Sequence, residues 1–85
     1  MDETDRKLLQ LINDVLRNKG QPELPAIEGD PHLREDLKLD SLDLAELTVR
    51  VEERFGIDVF EAGVVSRYRE IENRVIQHVR SGKQR

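Results

Sequence analysis

Eighty-five residues leave room for one domain with a thin core. The absence of cysteine excludes a disulfide framework, a thiolate metal site and a cysteine nucleophile. Charged residues make up 38% of the chain, the net charge is −4, and the aromatics are Phe55, Phe60 and Tyr68, a balance that speaks against a nucleic-acid backbone or stacked bases as partner.

The first periodic segment predicts a helix over residues 4–18, with Leu8, Leu9, Ile12, Val15 and Leu16 on one face. Asp2, Glu3 and Asp5 stand at its positive end, Arg17 and Lys19 at its negative end, and Gly20 is the natural stop. A connection over residues 21–39 follows, in which Pro22, Pro25, Gly29 and Pro31 rule out a continuous helix. A connection this long in so small a domain needs apolar anchors of its own. Leu24, Ile27, Leu33, Leu37 and Leu39 are expected to pin it over the helices, with a short helical turn over 33–37. A second helix is expected over 41–55, with Asp40 as N-cap and Gly56 as stop. A short turn or helix is expected over 60–65. The last helix, over 69–79, carries Ile71, Val75, Ile76 and Val79 on one face. Residues 1–79 then form a single helical domain, and the basic, polar residues 80–85 a frayed, disordered tail. No segment reads as a strand. The expected fold class is all-α: a small four-helix bundle, three helices long and one short, with a long first loop.

The second helix carries two apolar stripes. At 100° per residue, Leu44, Leu47, Thr48, Val51 and Phe55 cluster on the side expected to face the core. Leu42 and Val49 fall nearly opposite, beside Glu46 and Glu53 and flanked by Ala45 and Glu52. Scattered exposed apolar residues are common. An apolar pair rimmed by carboxylates also describes a small docking surface, and the pattern by itself admits both readings. Charge favours the second. Residues 35–58 hold eight acids against three bases, so the whole negative excess lies on this segment and would steer a basic partner. Ser41 opens the helix. Read blandly, it is one more serine at a helix entrance. Read functionally, it projects a hydroxyl into solvent where first-turn N–H groups favour an added anion.

The run Leu39-Asp40-Ser41-Leu42-Asp43-Leu44-Ala45-Glu46-Leu47, followed by Val51-Glu52-Glu53-Arg54-Phe55-Gly56-Ile57, resembles the acyl carrier protein family. The triplet Asp40-Ser41-Leu42 matches the family's attachment motif, and Leu33-Arg34-Glu35-Asp36-Leu37 looks like the segment before it. The resemblance is strong over residues 33–59, looser in the first helix and weakest after Val59. It implies a four-helix bundle that carries acyl groups as thioesters on 4′-phosphopantetheine, attached to Ser41 from coenzyme A by a Mg²⁺-dependent phosphopantetheinyl transferase. Such a chain is a carrier and not an enzyme, with no catalytic residue and no metal site of its own. The resemblance also implies that Asp40, Leu42, Asp43, Glu46, Glu52 and Glu53 dock on basic patches of partners, with the apolar Ala45 and Val49 beside them. Those partners would be acyl synthetases, ketosynthases or acyltransferases of fatty acid, lipid or specialised acyl biosynthesis. The expected setting is a cytoplasmic monomer without membrane insertion: no apolar run approaches a span, and the N-terminus is acidic.

Several positions depart from the family pattern. Arg50 and Arg54 interrupt a helix that is usually almost purely acidic in fatty-acid carriers. The segment from Phe60 to Arg69 lacks the usual acidity, and Arg69-Glu70-Ile71 replaces the threonine-valine pair that introduces the last helix. These changes point to a specialised stand-alone carrier. Two alternatives stay open: a carrier of aminoacyl, aryl or polyketide-type cargo, and an unmodified helical interaction module. His32 reads as solvated, His78 as a residue near a helix end where the dipole favours a cation, and Tyr68 and Phe60 as core or pocket lining.

Overall fold

The computed structural model describes residues 2–60 and 65–80. Among these residues the fold is all-α, with α1 over Glu3–Asn18, α2 over Ser41–Phe55 and α3 over Tyr68–Arg80. An isolated antiparallel bridge between His32 and Arg67 joins the connection to the segment before α3. The short element expected over 60–65 and the tail over 80–85 lie largely outside the described residues.

Asp2 caps α1, its carboxylate accepting the Asp5 N–H at 2.8 Å. The helix buries Leu8, Leu11, Ile12, Val15 and Leu16. Leu11 therefore takes the core place that the sequence reading gave to Leu9, which packs half-buried at the flank. The spacing explains the exchange: Leu11 continues the i, i+3, i+4, i+7 series from Leu8, whereas Leu9 sits a residue off it. Gly20, just past the helix, has φ +80°, the left-handed conformation that ends helices at least cost to glycine.

The connection is a wall of the core. Ile27, Leu33, Leu37 and Leu39 are all buried, and Leu24 packs against them. Each such side chain contributes about 1.5–3 kcal/mol on full burial. The Asn13 side chain fastens the connection to α1 by donating to the Leu24 carbonyl at 3.0 Å and accepting the Leu24 N–H at 2.7 Å. Residues 33–37 form a hydrogen-bonded turn rather than a helix: the Asp36 and Leu37 N–H groups both donate to the His32 carbonyl, at 2.9 and 3.1 Å. The segment then pairs with the entrance to α3 through Leu33 N–H to the Ser66 carbonyl at 2.8 Å and Tyr68 N–H to the Pro31 carbonyl at 3.0 Å. These cross-chain bonds take up the backbone groups that a helix would have satisfied internally.

Tyr68, Ile71 and Val75 form the buried face of α3, while Val79, expected on that face, is 41% exposed near the helix end. The fully buried Tyr68 donates its hydroxyl to Asp5 on α1. Arg69 adds its guanidinium to Asp5 at 3.2 Å and to Glu72 at 2.8 Å. It also stands 5.0 Å from the Tyr68 ring centroid and donates to the Gly29 carbonyl at 2.9 Å. One arginine thus ties α1, the connection and α3 together. Burial pushes the Asp5 carboxyl up, but the bonds from Tyr68, Glu72 and Arg69 outweigh it and leave its pKa below the ordinary value. Asp2, Asp5 and Glu72 bring carboxylate oxygens within 4.8 Å of one another, but Tyr68 and Arg69 already occupy Asp5 and Glu72, so the cluster belongs to the helix junction.

Tyr68→Phe leaves the shape intact but removes the donor to a buried carboxylate. Its expected cost is about 1–3 kcal/mol, read as a lower urea midpoint with an unchanged slope. A loss below about 0.5 kcal/mol would show that Arg69 alone satisfies Asp5.

Candidate functional site

The site is built on the entrance of α2. Asp40 is the N-cap: its carboxylate accepts the Asp43 N–H at 3.0 Å, and the Asp43 carboxylate accepts the Asp40 N–H at 2.9 Å. This reciprocal capping box fixes the direction in which the chain enters the helix. Lys19, just past α1, forms an ion pair with Asp43 and donates to the Lys38 carbonyl at 2.7 Å. The end of α1 is thereby locked to the start of α2. Lys38 has φ +62°, a left-handed conformation unusual for a residue with a side chain. Burial acts to raise the Asp43 carboxyl, yet the Lys19 ammonium and the Asp40 N–H outweigh it and hold its pKa below the ordinary value.

Ser41, the first residue of α2, is exposed. Its Oγ accepts a hydrogen bond from Arg34 Nη2 at 2.7 Å. Beside it lies a cavity of about 410 Å³ lined by Ser41, Arg34, Leu44, Ala45, Phe60 and Val65 together with His32 and Ser66. The arrangement offers an accessible hydroxyl, a cation on that hydroxyl and a largely apolar recess beside it. Phe60 is pocket lining, and His32, read as solvated, is half-buried and lines the same cavity.

The sequence-derived docking residues divide into two groups. Asp40, Leu42, Ala45, Val49, Glu52 and Glu53 are exposed on α2 or at its cap, Leu42 at 82% and Val49 at 51%. The second apolar stripe therefore does face solvent. Asp43 and Glu46 differ. Asp43 is only 9% exposed and is committed to its cap and to Lys19. Glu46 is half-buried and accepts from Arg50 Nη2 at 2.9 Å and Asn18 Nδ2 at 2.9 Å. Arg50 reaches on to Asp14 of α1 at 3.5 Å, so this departure from an acidic helix serves the α1–α2 contact. Arg34 was missed as a site residue. Its only sequence signal is a cation seven residues before Ser41 in a segment of no regular period, and the turn at 33–37 is what brings it back to the serine.

The family model for the phosphopantetheine attachment site matches residues 6–72. An acyl carrier protein of Rubrobacter xylanophilus is 31% identical over 74 residues, covering 85% of this chain and 91% of the relative. The chain belongs to the acyl carrier protein family. An acyl carrier protein of Rickettsia bellii is 30% identical over 80 residues, covering 92% of the chain and 88% of the relative. One of Rickettsia canadensis is 37% identical over 59 residues, covering 69% and 67%. No solved structure matches the chain. As a member of the family, this chain is a carrier and not an enzyme, its domain is the kind to which 4′-phosphopantetheine is covalently attached, and it works with a phosphopantetheinyl transferase and acyl-handling enzymes. The residues present fit that group: the hydroxyl is accessible, a cation stands on it and the adjoining recess is apolar. No helix among the described residues is long and apolar enough to cross a membrane.

Asp43→Asn removes the charge that Lys19 and the cap share. We expect a loss of about 1–2 kcal/mol near neutral pH, hence a melting temperature lower by about 4–16 °C at 4–8 °C per kcal/mol. The pH dependence follows from the lowered pKa. The carboxylate's contribution is complete above the ordinary aspartate value of 3.8 and is lost as pH falls below it toward the folded-state value. Urea midpoints across that window should fall less steeply in Asp43→Asn than in the wild type; equal slopes would remove Asp43 from the account.

Proposed function

We propose that Ser41 is the residue to which 4′-phosphopantetheine is attached, and that the exposed stripe of α2 is where partner enzymes dock. The observation that carries the first part is the exposed Ser41 hydroxyl at the entrance of α2, contacted by a guanidinium and opening onto an apolar cavity. The capping box keeps Ser41 in the first helical turn, where backbone N–H groups lack helical acceptors and favour an anion on the side chain. When bound, the arm supplies the thiol that this cysteine-free chain lacks and carries acyl groups as thioesters. Leu44, Ala45, Phe60 and Val65 give an apolar chain a place to leave water, worth about 0.8 kcal/mol per buried methylene.

The docking surface is Leu42, Ala45 and Val49 with Asp40, Glu52 and Glu53 around them. Apolar contact there supplies affinity, and the carboxylates steer a basic patch. Glu46 contributes weakly because Arg50 and Asn18 already hold it, and Asp43 contributes through the cap rather than through contact. Acyl synthetases, ketosynthases or acyltransferases are the partners this surface suits, in the cytoplasm and in fatty acid, lipid or specialised acyl biosynthesis.

Incubation with coenzyme A, Mg²⁺ and a broad-specificity phosphopantetheinyl transferase should raise the intact mass by one phosphopantetheine in the wild type and not in Ser41→Ala. No gain in a folded wild type would sink the attachment site; equal gain in both would move it elsewhere. For docking, the double variant Glu52→Lys/Glu53→Lys should load with an acyl group about tenfold more slowly at low salt and approach wild type at high salt. Glu46→Gln should change the rate far less. The reverse ranking would count against the assigned surface.

A further inference from the structure

Arg34 differs from the arginines that hold the helices together. Arg6, Arg17, Arg50 and Arg69 each face at least one carboxylate within 4.0 Å. Arg67 and Arg74 donate to backbone carbonyls. Arg34 donates to a neutral hydroxyl, and among the described residues no carboxylate pairs with it. Its charge is therefore uncompensated by any direct partner, although the segment around it is rich in acids. The turn at 33–37 sets its origin: Leu33 and Leu37 are buried, and the Asp36 and Leu37 N–H groups close on the His32 carbonyl. Arg34 lines both the apolar cavity beside Ser41 and a second groove formed with Lys38, Leu39 and Asp40.

We propose that Arg34 is the residue that binds the phosphodiester of the arm, holding its root against the turn and biasing the arm toward the cavity. This rests on the reading of Ser41 as the attachment residue. Attachment puts phosphorus one bond, and its charged oxygens two bonds, beyond the atom that Arg34 already contacts. A hydrogen bond from the guanidinium to a neutral acceptor is then replaced by one to an anionic acceptor, and a bond between opposite charges is shorter and stronger. The guanidinium can also offer two parallel donors to two oxygens, a geometry that matches phosphate and that lysine lacks. Arg34 is a binding and positioning residue here, with no part in breaking or forming a bond.

The test uses the full chain in its unmodified and arm-bearing forms, as wild type, Arg34→Lys and Arg34→Gln. Arg34 is exposed, so both variants should fold, and circular dichroism checks this. Intact mass comes first and separates the two readings. A wild type that gains no arm overturns the attachment reading and this proposal with it. An Arg34→Gln chain that gains no arm while the wild type does overturns this proposal alone, because it places Arg34 in recognition by the transferase. With the arm attached in all three, the phosphorus-31 resonance of the wild type should move as salt is added, because salt screens the contact. In Arg34→Gln it should not move, and in Arg34→Lys it should move less than in wild type. The Arg34 side-chain N–H protons should exchange with water about tenfold more slowly in the arm-bearing wild type than in the unmodified chain, a factor within reach of one charge-assisted hydrogen bond. If Arg34 only braces the turn onto Ser41, exchange will be no slower once the arm is present, the phosphorus signal will be the same in all three chains, and the proposal fails.

Discussion

Asp43 holds the entrance of α2 in place, and the geometry of the site follows from it. Its carboxylate accepts the Asp40 N–H, its own N–H is held by the Asp40 side chain, and Lys19 brings the end of α1 to the same point. A helix entrance leaves several N–H groups without partners, and the capping box satisfies part of that deficit while fixing the approach of the chain. Ser41 lies between the two capping aspartates in sequence, so the backbone that carries its hydroxyl is fixed by contacts of its neighbours, and Arg34 alone reaches the hydroxyl among the described side chains. The exposed Ser41 is thus supported by a nearly buried ion pair. Such a pair contributes little net stability by its charges alone, but removal of one partner leaves the other uncompensated.

The electrostatics of α2 are narrower than its composition suggests. Eight acids against three bases over residues 35–58 would give a uniformly negative flank if every side chain pointed to water. Asp43 is spent on Lys19 and Glu46 on Arg50 and Asn18, while Arg50 also reaches Asp14. On α2 and its cap the exposed carboxylates are those of Glu52, Glu53 and Asp40, beside the exposed apolar Leu42, Ala45 and Val49, with Glu35, Asp36 and Asp58 exposed before and after the helix. The arginine that looks like a departure from an acidic carrier helix therefore strengthens the α1–α2 junction. The groove before the helix is lined by Arg34 and Lys38 together with Leu39 and Asp40.

The connection between α1 and α2 links these features. Leucines and an isoleucine hold it in the core, Asn13 fastens its start, and the pairing of Leu33 and Tyr68 with Ser66 and Pro31 fastens its end. The same segment supplies the turn that returns Arg34 to Ser41. An irregular segment can position a side chain this well only when its backbone groups are satisfied and its apolar residues are buried. Arg69, bound at once to Asp5, Glu72 and the Gly29 carbonyl, extends that support to α3.

Periodicity was enough to locate the helices, because a buried helical face repeats with the turn of the helix and needs only local sequence to be seen. α2 runs over the expected residues with its expected caps, and the opposed stripe of Leu42 and Val49 was visible on the same grounds. The motif around Ser41 was legible as a family likeness, and the family follows from the match over residues 6–72. What local pattern could not decide was which charged residues face water and which face one another. Asp43 and Glu53 look alike in sequence, and only the approach of α1 separates a buried ion-pair partner from an exposed carboxylate. Arg34 was hidden for the same reason. Its role depends on a turn closed by long-range burial and backbone bonding, and contacts made across the chain leave no period in the sequence.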